Sequence, residues 1–181
     1  MRADARRNRA RVLEAAEAVF AAEGTSASTE EIARQAGVGI GTVFRHFPTK
    51  QALLEAILAD RLARLTEEAR SLSASPDPGA ALLALFTRMV EQSAAKKTYV
   101  DALANAGLDA MSAMSQIGQQ ARQALGVLLA RAQQAGAIRD GIGVTELIAL
   151  VVGASRAAEH SGWDQDVQAR ILQVIFDGLR P

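Results

Sequence analysis

Apolar residues recur at intervals of three and four positions along most of this chain, and no stretch shows the alternating pattern of a half-buried strand. Alanine is the commonest residue, at roughly a fifth of the chain, and leucine, arginine, glutamine and glutamate are also frequent, so strong helix formers dominate. A chain of 181 residues is long enough to bury a substantial core. The pattern therefore predicts an all-α fold.

Glycine, proline and capping residues mark where the helices begin and end. Ser28 followed by Glu31 predicts a capping box, in which the Glu31 side chain reaches back to the backbone of Ser28. Gly37 and Pro48 end short helices, and residues 73–79 combine two prolines with small residues in the clearest break of the chain. These signals predict about nine helices, which cover approximately residues 4–23, 29–36, 40–47, 49–72, 78–95, 98–107, 109–135, 145–160 and 164–179.

The composition excludes several classes of protein. Because it has no cysteine, the chain can form no disulfide bond, thiolate metal site or cysteine nucleophile. No apolar run approaches the roughly 18–20 residues of a membrane helix, and the start of the sequence is unlike a secretory signal, so we expect a cytoplasmic protein with no membrane partner. The formal net charge is 0, but residues 1–11 hold five arginines against Asp4, a local charge of +4 that permits an anionic partner.

Residues 28–47 contain the side chains with the clearest chemistry. Two short helices joined by the turn 36–39 have the sequence form of a helix-turn-helix. The outer face of the second helix combines a hydroxyl, an aromatic ring, a guanidinium and an imidazole, which suit a helix laid in the major groove of DNA. Backbone N–H groups that suit phosphate are expected at two places: the start of the motif's first helix, beside Thr29, and the start of the helix that follows the motif, beside Lys50. The predicted DNA-contact residues are Thr29, Thr42, Phe44, Arg45, His46 and Lys50.

The stretch Thr29–Leu54, which reads TEEIARQAGVGIGTVFRHFPTKQALL, resembles the DNA-binding domain of TetR-family repressors. At the level of motifs the resemblance covers roughly residues 8–58. Farther along, Ala132, Gly136 and Arg139 are similar to a weaker signature, Ala-x-x-x-Gly-x-x-Arg, that precedes the eighth helix of many members. The resemblance implies that the six residues above fall on the family's DNA-contact positions.

Three positions depart from the family's usual pattern. Gly39 stands where many members have serine, and Ile40 stands where lysine or another polar residue is common. Phe44 replaces a frequent tyrosine and lacks its phenolic hydroxyl. At these positions we therefore expect fewer polar contacts to phosphate than the family usually makes.

The resemblance divides the chain into a helix-turn-helix DNA-binding domain over residues 1–48 and an effector-binding and dimerisation domain over residues 49–181. The last two helices are apolar over a broad face, which is typical of a helix that is fully buried or shared with a partner. The resemblance implies a second copy, packed in a four-helix bundle, while burial in the chain's own core is the alternative. The predicted interface residues are Leu147, Val151, Ala154, Ile171, Val174 and Ile175.

If the resemblance extends to the middle helices, they hold an effector pocket. Four aromatic residues outside the helix-turn-helix domain are too few for the cage of a quaternary-cation sensor, and one histidine there argues against a chelated metal. We expect neither a metal nor a cofactor. Apolar and methionine side chains suit an adaptable apolar cavity, with a tyrosine as a polar group. The predicted lining residues are Leu82, Phe86, Met89, Tyr99, Met111 and Met114.

These observations predict a homodimeric transcriptional repressor. It would bind a near-palindromic operator in double-stranded DNA and be released by a small, largely apolar effector. We expect no enzymatic activity, because no metalloprotease, phosphate-loop or nucleophile-elbow motif is present. The alternatives are a helical adaptor whose helix-turn-helix binds protein, and a DNA-binding regulator without a small-molecule ligand.

Overall fold

The computed structural model describes residues 2–92, 99, 102 and 115–181, and this part of the chain contains eight α-helices and no strand. The predicted all-α fold is therefore confirmed. The helix predicted over residues 98–107 lies outside the described residues apart from Tyr99 and Ala102, and so does the start of the helix predicted over 109–135. The helices are α1 (Arg2–Glu23), α2 (Thr29–Ala36), α3 (Ile40–His46), α4 (Lys50–Leu72), α5 (Pro78–Glu91), α6 (Ser115–Gln134), α7 (Val144–Ser161) and α8 (Gln165–Leu179).

The chain divides into two compact units. Unit 1 comprises Met1–Arg61 and Ala95–Ser115, and unit 2 comprises Leu62–Ala94 and Gln116–Pro181. The helix α4 contributes residues to both units, since the division falls after Arg61. The functional division predicted between residues 48 and 49 remains a prediction.

Unit 1 is built around the inner face of α1. Val12, Ala16 and Phe20 recur at helical spacing and are buried with residues of α2, α3 and the first part of α4. The aromatic ring of Tyr99 belongs to the same core. Because α1 packs against both α2 and α3, it fixes the angle between those two short helices.

The local sequence signals at α2 are met in part. The hydroxyl Oγ of Ser28 accepts a hydrogen bond from the backbone N–H of Glu31, at 3.2 Å, and so caps the helix. The predicted return contact from Glu31 to the backbone of Ser28 is not formed. Instead, the Glu31 carboxylate accepts a hydrogen bond from Arg34 Nε at 2.8 Å, because a guanidinium one turn later on the helix competes for it. This contact lowers the pKa of Glu31.

Unit 2 contains a second core, formed by α5, α6, α7, α8 and the end of α4. The rings of Phe86 and Phe176 meet edge to face with their centroids 5.5 Å apart. Gly79 near the start of α5 lies directly against Ala137, where a side chain on residue 79 would overlap its neighbour. The backbone N–H of Arg139 donates to the carbonyl of Leu179 at 2.8 Å, which ties the turn after α6 to the end of α8.

Among the residues that the structure describes, no helix has both the length and the apolarity needed to cross a membrane.

Candidate nucleic-acid interface

The turn between α2 and α3 determines how α3 is presented. Gly37 has φ 62° and ψ 39°, a left-handed conformation that glycine adopts without a steric penalty. The backbone N–H of Val38 donates to the carbonyl of Ala33 at 3.0 Å, which closes the end of α2. Ile32 and Val43 are fully buried on the inner sides of the two helices. These contacts lock α3 in place and leave its opposite face to solvent.

Four of the six residues predicted to contact DNA lie on α3. Phe44 is 44% exposed although it is a large aromatic residue, and Arg45 beside it is also exposed. Thr42 and His46 are half-buried at the edges of this face, and the His46 ring lies 6.2 Å from that of Phe47. An exposed aromatic ring next to a guanidinium offers apolar contact and hydrogen bonds to the edges of bases.

Two helix starts flank the helix-turn-helix. Thr29 is the first residue of α2 and is half-buried, directly after the capping Ser28. Thr49 caps α4 through its hydroxyl, which accepts the backbone N–H of Ala52 at 3.0 Å. The first N–H groups of a helix attract anions, so both starts can hold phosphate.

The side chain of Lys50 makes contacts that sequence patterns do not reveal. Its ammonium donates to the carbonyl oxygen of Ala27 at 2.7 Å and lies 5.7 Å from the centroid of the Phe20 ring. Partial burial lowers the pKa of Lys50. Lys50 therefore connects the start of α4 to the loop before α2, in addition to any contact it makes with DNA.

Arg11 of α1 is a second residue that the sequence predictions missed. Its guanidinium donates to the carbonyl of Gly37 at 3.3 Å, in the turn between α2 and α3. The residues are 26 positions apart, so no local pattern signals the contact. Only the basic character of residues 1–11 pointed to this part of the chain.

The structure places Tyr99, predicted to line the effector pocket, in the core of unit 1. The side chain is 2% exposed, and its ring lies 6.2 Å from the Phe20 ring in an edge-to-face arrangement. The guanidinium of Arg61, 5.2 Å from the Tyr99 ring centroid, pairs with Glu17 at 3.1 Å. Burial raises the pKa of the Tyr99 hydroxyl, and Arg61 partly opposes that rise. These contacts account for Tyr99 as a core residue of unit 1.

The structure describes three of the other five predicted pocket residues. Leu82 and Phe86 are buried in the core of unit 2, and Met89 packs against it half-buried. Met111 and Met114 lie outside the described residues. Unit 2 also has an open cleft of about 240 Å³ that contains none of the predicted residues. Its lining residues are Arg70, Ser73, Gln120, Gln123, Ala124 and Val127.

The predicted interface residues on the last two helices face in two directions. Leu147, Val151 and Ala154 are buried in the chain's own core. Ile171 and Ile175 are half-buried, whereas Val174 is 72% exposed. The exposed apolar residues that the prediction omitted are Leu150 and Val152 of α7. An apolar period shows that a helix has a broad apolar face but not which part of it meets the chain's own core.

Comparisons with known proteins agree with this geometry along the chain. A family model described as "Bacterial regulatory proteins, tetR family" matches residues 12–57. A second model, "Transcriptional regulator SbtR-like, C-terminal domain", matches residues 77–181.

Solved structures of whole chains are also similar. A TetR transcription regulatory protein from Mycobacterium vanbaalenii is 46% identical, with a TM-score of 0.83 and 99% of each chain covered. The TetR transcriptional regulator SCO0520 from Streptomyces coelicolor is 36% identical with a TM-score of 0.79, covering 96% of this chain and 98% of that one. In a comparison of sequences, the HTH-type transcriptional regulator SrpR from Pseudomonas putida is 29% identical over 96% of this chain and 84% of its own length.

Proposed function

The chain belongs to the TetR family of bacterial transcriptional regulators, and from that premise we propose that it is a homodimeric repressor. Each copy would place α3 in the major groove of one half of a near-palindromic operator. A small, largely apolar ligand bound in unit 2 would favour a state that no longer fits the operator. DNA binding and regulation of transcription follow from the family, whereas the dimer, the operator and the ligand are proposed.

The observation that carries the proposal is the outer face of α3. Phe44 and Arg45 are exposed on this face. The neighbouring Val43 is buried and anchors the helix. The side chains that would touch bases are therefore held by a rigid frame, which reduces the entropy lost on binding. Thr42, Phe44 and Arg45 are proposed to touch bases or sugars, and Thr29, His46 and Lys50 to touch phosphates.

A dimer is supported by the outward sides of α7 and α8. Val174 is 72% exposed on α8, and Leu150 and Val152 are exposed on α7, so covering these apolar side chains with a partner would be favourable. Gly153 and Gly178 have open space where a side chain would lie, so another helix can approach closely at both positions. We propose that a second copy covers this surface, with Val174, Ile171 and Ile175 at the contact on α8.

A ligand is supported by the character of the core of unit 2. Leu82 and Phe86 are buried there, and the flexible side chain of Met89 lies at its edge, which suits a site that adapts to an apolar molecule. The ligand can release DNA only if it binds the state that does not fit the operator more tightly than the state that does.

Selection from a pool of random DNA duplexes with the purified chain tests the proposal. The expected result is an inverted repeat whose half-site centres lie roughly 34–36 Å apart, or one turn of DNA. In transcription assays from a promoter that contains the repeat, added protein should lower transcript yield. Enrichment of a single, unrepeated site would contradict the dimer, and a rise in transcript would contradict repression.

Salt and ligand titrations distinguish the two alternatives. An adaptor that binds protein would show no steep fall of DNA affinity with rising salt concentration. A DNA-binding protein must show such a fall, because neutralising phosphates releases counterions. To test for a ligand, single-ring aromatic and medium-chain aliphatic compounds would be added to the complex with the selected duplex. If none of them releases DNA, the result favours a regulator without an effector.

A further inference from the structure

Two arginines near the start of α1 lie on the same helical face as its buried residues. Arg6, Arg9, Leu13, Ala16 and Phe20 follow one another at intervals of three and four positions, which places them in one stripe along the helix. Leu13, Ala16 and Phe20 are buried in unit 1, whereas Arg6 and Arg9 are exposed. The inner face of α1 therefore changes from apolar to basic between Arg9 and Leu13.

The basic part of α1 extends beyond the core. Residues 4–11 include no buried side chain, although the helix is continuous from Arg2. At 1.5 Å per residue, the ten residues before Val12 correspond to roughly 15 Å of helix. A projection of this length is not needed to bury the core of unit 1.

Contacts with the helix-turn-helix show where this projection lies. The guanidinium carbon of Arg9 is 5.3 Å from the ring centroid of Phe47, the C-cap residue directly after α3. Arg11 donates to the carbonyl of Gly37 in the turn before α3. The third turn of α1 thus lies next to α3, the helix proposed to contact DNA bases, and Arg6 lies about one turn from Arg9 toward the start of α1.

Among the residues that the structure describes, none neutralises the charge of Arg6 or Arg9. Arg7, on a different face, pairs with Asp4. Within the described ranges, no acidic side chain pairs with Arg6 or Arg9. Two exposed guanidinium groups on one stripe next to α3 form a cationic surface. Base contacts by α3 do not require this surface.

We propose that Arg6 and Arg9 bind phosphates of the DNA backbone just outside the base pairs that α3 contacts. A helix in the major groove is bordered by a phosphate strand on each side, and a guanidinium can give a phosphate two parallel hydrogen bonds. The inference rests on the proposed function, since it requires α3 to enter the groove. In this proposal, α1 extends the contact with DNA beyond the base pairs of the half-site.

The test compares the double variant Arg6→Ala/Arg9→Ala with Arg7→Ala on two duplexes. One duplex contains only the selected site, and the other extends it by about half a helical turn on each side, roughly 5 base pairs. We expect the wild-type chain and Arg7→Ala to bind the longer duplex more tightly than the shorter one. The double variant should bind both duplexes equally.

Salt dependence supplies a second readout. Each lost phosphate contact should reduce the slope of log affinity against log salt by about 0.9. The proposed dimer loses four contacts, two from each copy, so the affinity advantage of the wild-type chain over the double variant should narrow roughly 150-fold between about 50 and 200 mM salt. Circular dichroism should be unchanged, because both arginines are exposed and alanine favours helix. The inference is overturned if the double variant keeps both the flank preference and the slope, or if Arg7→Ala loses them equally. Failure of the wild-type chain to bind any duplex would instead contradict the proposed function.

Discussion

The ammonium of Lys50 lies 2.7 Å from the carbonyl oxygen of Ala27, a residue 23 positions earlier in the chain. This hydrogen bond joins the start of α4 to the loop that leads into α2, and the same ammonium lies over the Phe20 ring of α1. The sequence predicted only a DNA contact for Lys50. The structure gives it a second role, because one side chain contacts three segments of unit 1.

Replacement of Lys50 by methionine should separate these roles. The variant keeps an apolar stem but leaves the Ala27 carbonyl without its charged donor, so the free energy of unfolding should fall by about 1 kcal/mol. Loss of one phosphate contact in each copy should also reduce the salt slope of DNA binding by about one unit per copy, or about two units for the proposed dimer, on every sequence. Urea denaturation and salt titration measure the two effects. A reduced slope with unchanged stability would mean that the Ala27 contact has no energetic weight.

Arg45→Ala should weaken discrimination between DNA sequences. If Arg45 contacts base edges, its loss should cost about 1–3 kcal/mol on the selected duplex and much less on random duplexes. Equilibrium binding to both duplexes gives the comparison, and Arg122→Ala, an exposed residue of α6 in unit 2, is the matched control. Equal losses on selected and random DNA would show that Arg45 touches only phosphate.

Ionisation of Tyr99 can be followed directly, because it is the only tyrosine in the sequence. Burial raises the pKa of its hydroxyl above the usual 10.0, so tyrosinate absorbance should appear at higher pH in the native chain than in urea. The unfolded chain then loses its proton first, and stability should fall as pH rises from about 10 toward the native pKa. Tyr99→Phe should remove this contribution. Identical titrations in buffer and urea would contradict the buried position.

Gly37 and Gly41 should respond in opposite directions to the same change. Gly37→Ala places a side chain at φ 62° and 2.6 Å from the Arg11 guanidinium, so the free energy of unfolding should fall by roughly 1–2 kcal/mol. Gly41→Ala meets open space inside α3 and should raise stability by up to roughly 1 kcal/mol. Thermal melting of both variants is the measurement. Equal destabilisation of both would show that the left-handed turn is not the determining factor.

Val174→Glu should dissociate the proposed dimer. A carboxylate on the most exposed apolar side chain of α8 would be buried without a partner in a helix-to-helix contact, at a cost of several kcal/mol. Sedimentation should then report a monomer, with α-helix content unchanged. Ala169→Glu adds the same charge to an exposed position of the same helix and should leave the mass unchanged. A wild-type chain that sediments as a monomer would contradict the dimer itself.

The all-α fold and the family membership were predictable because both depend on neighbours in the sequence. The period of apolar residues in α1, the capping of α2 by Ser28 and the end of α2 at Gly37 are local, and all three are found in the structure. The exposed face of α3 followed from the same local pattern, since Val43 has to point inward if the two short helices pack against α1.

The tertiary structure decided which contacts those faces make. Tyr99 packs with Phe20 and Arg61, Lys50 donates to Ala27, and Arg11 donates to the carbonyl of Gly37. On the last helices, the apolar period could not distinguish buried Leu147 from exposed Val174. The sequence by itself therefore determined which segments are helical and which helix faces are apolar, because those properties arise from residues a few positions apart. Only the folded chain decided what covers each face, because that depends on side chains brought together from distant positions.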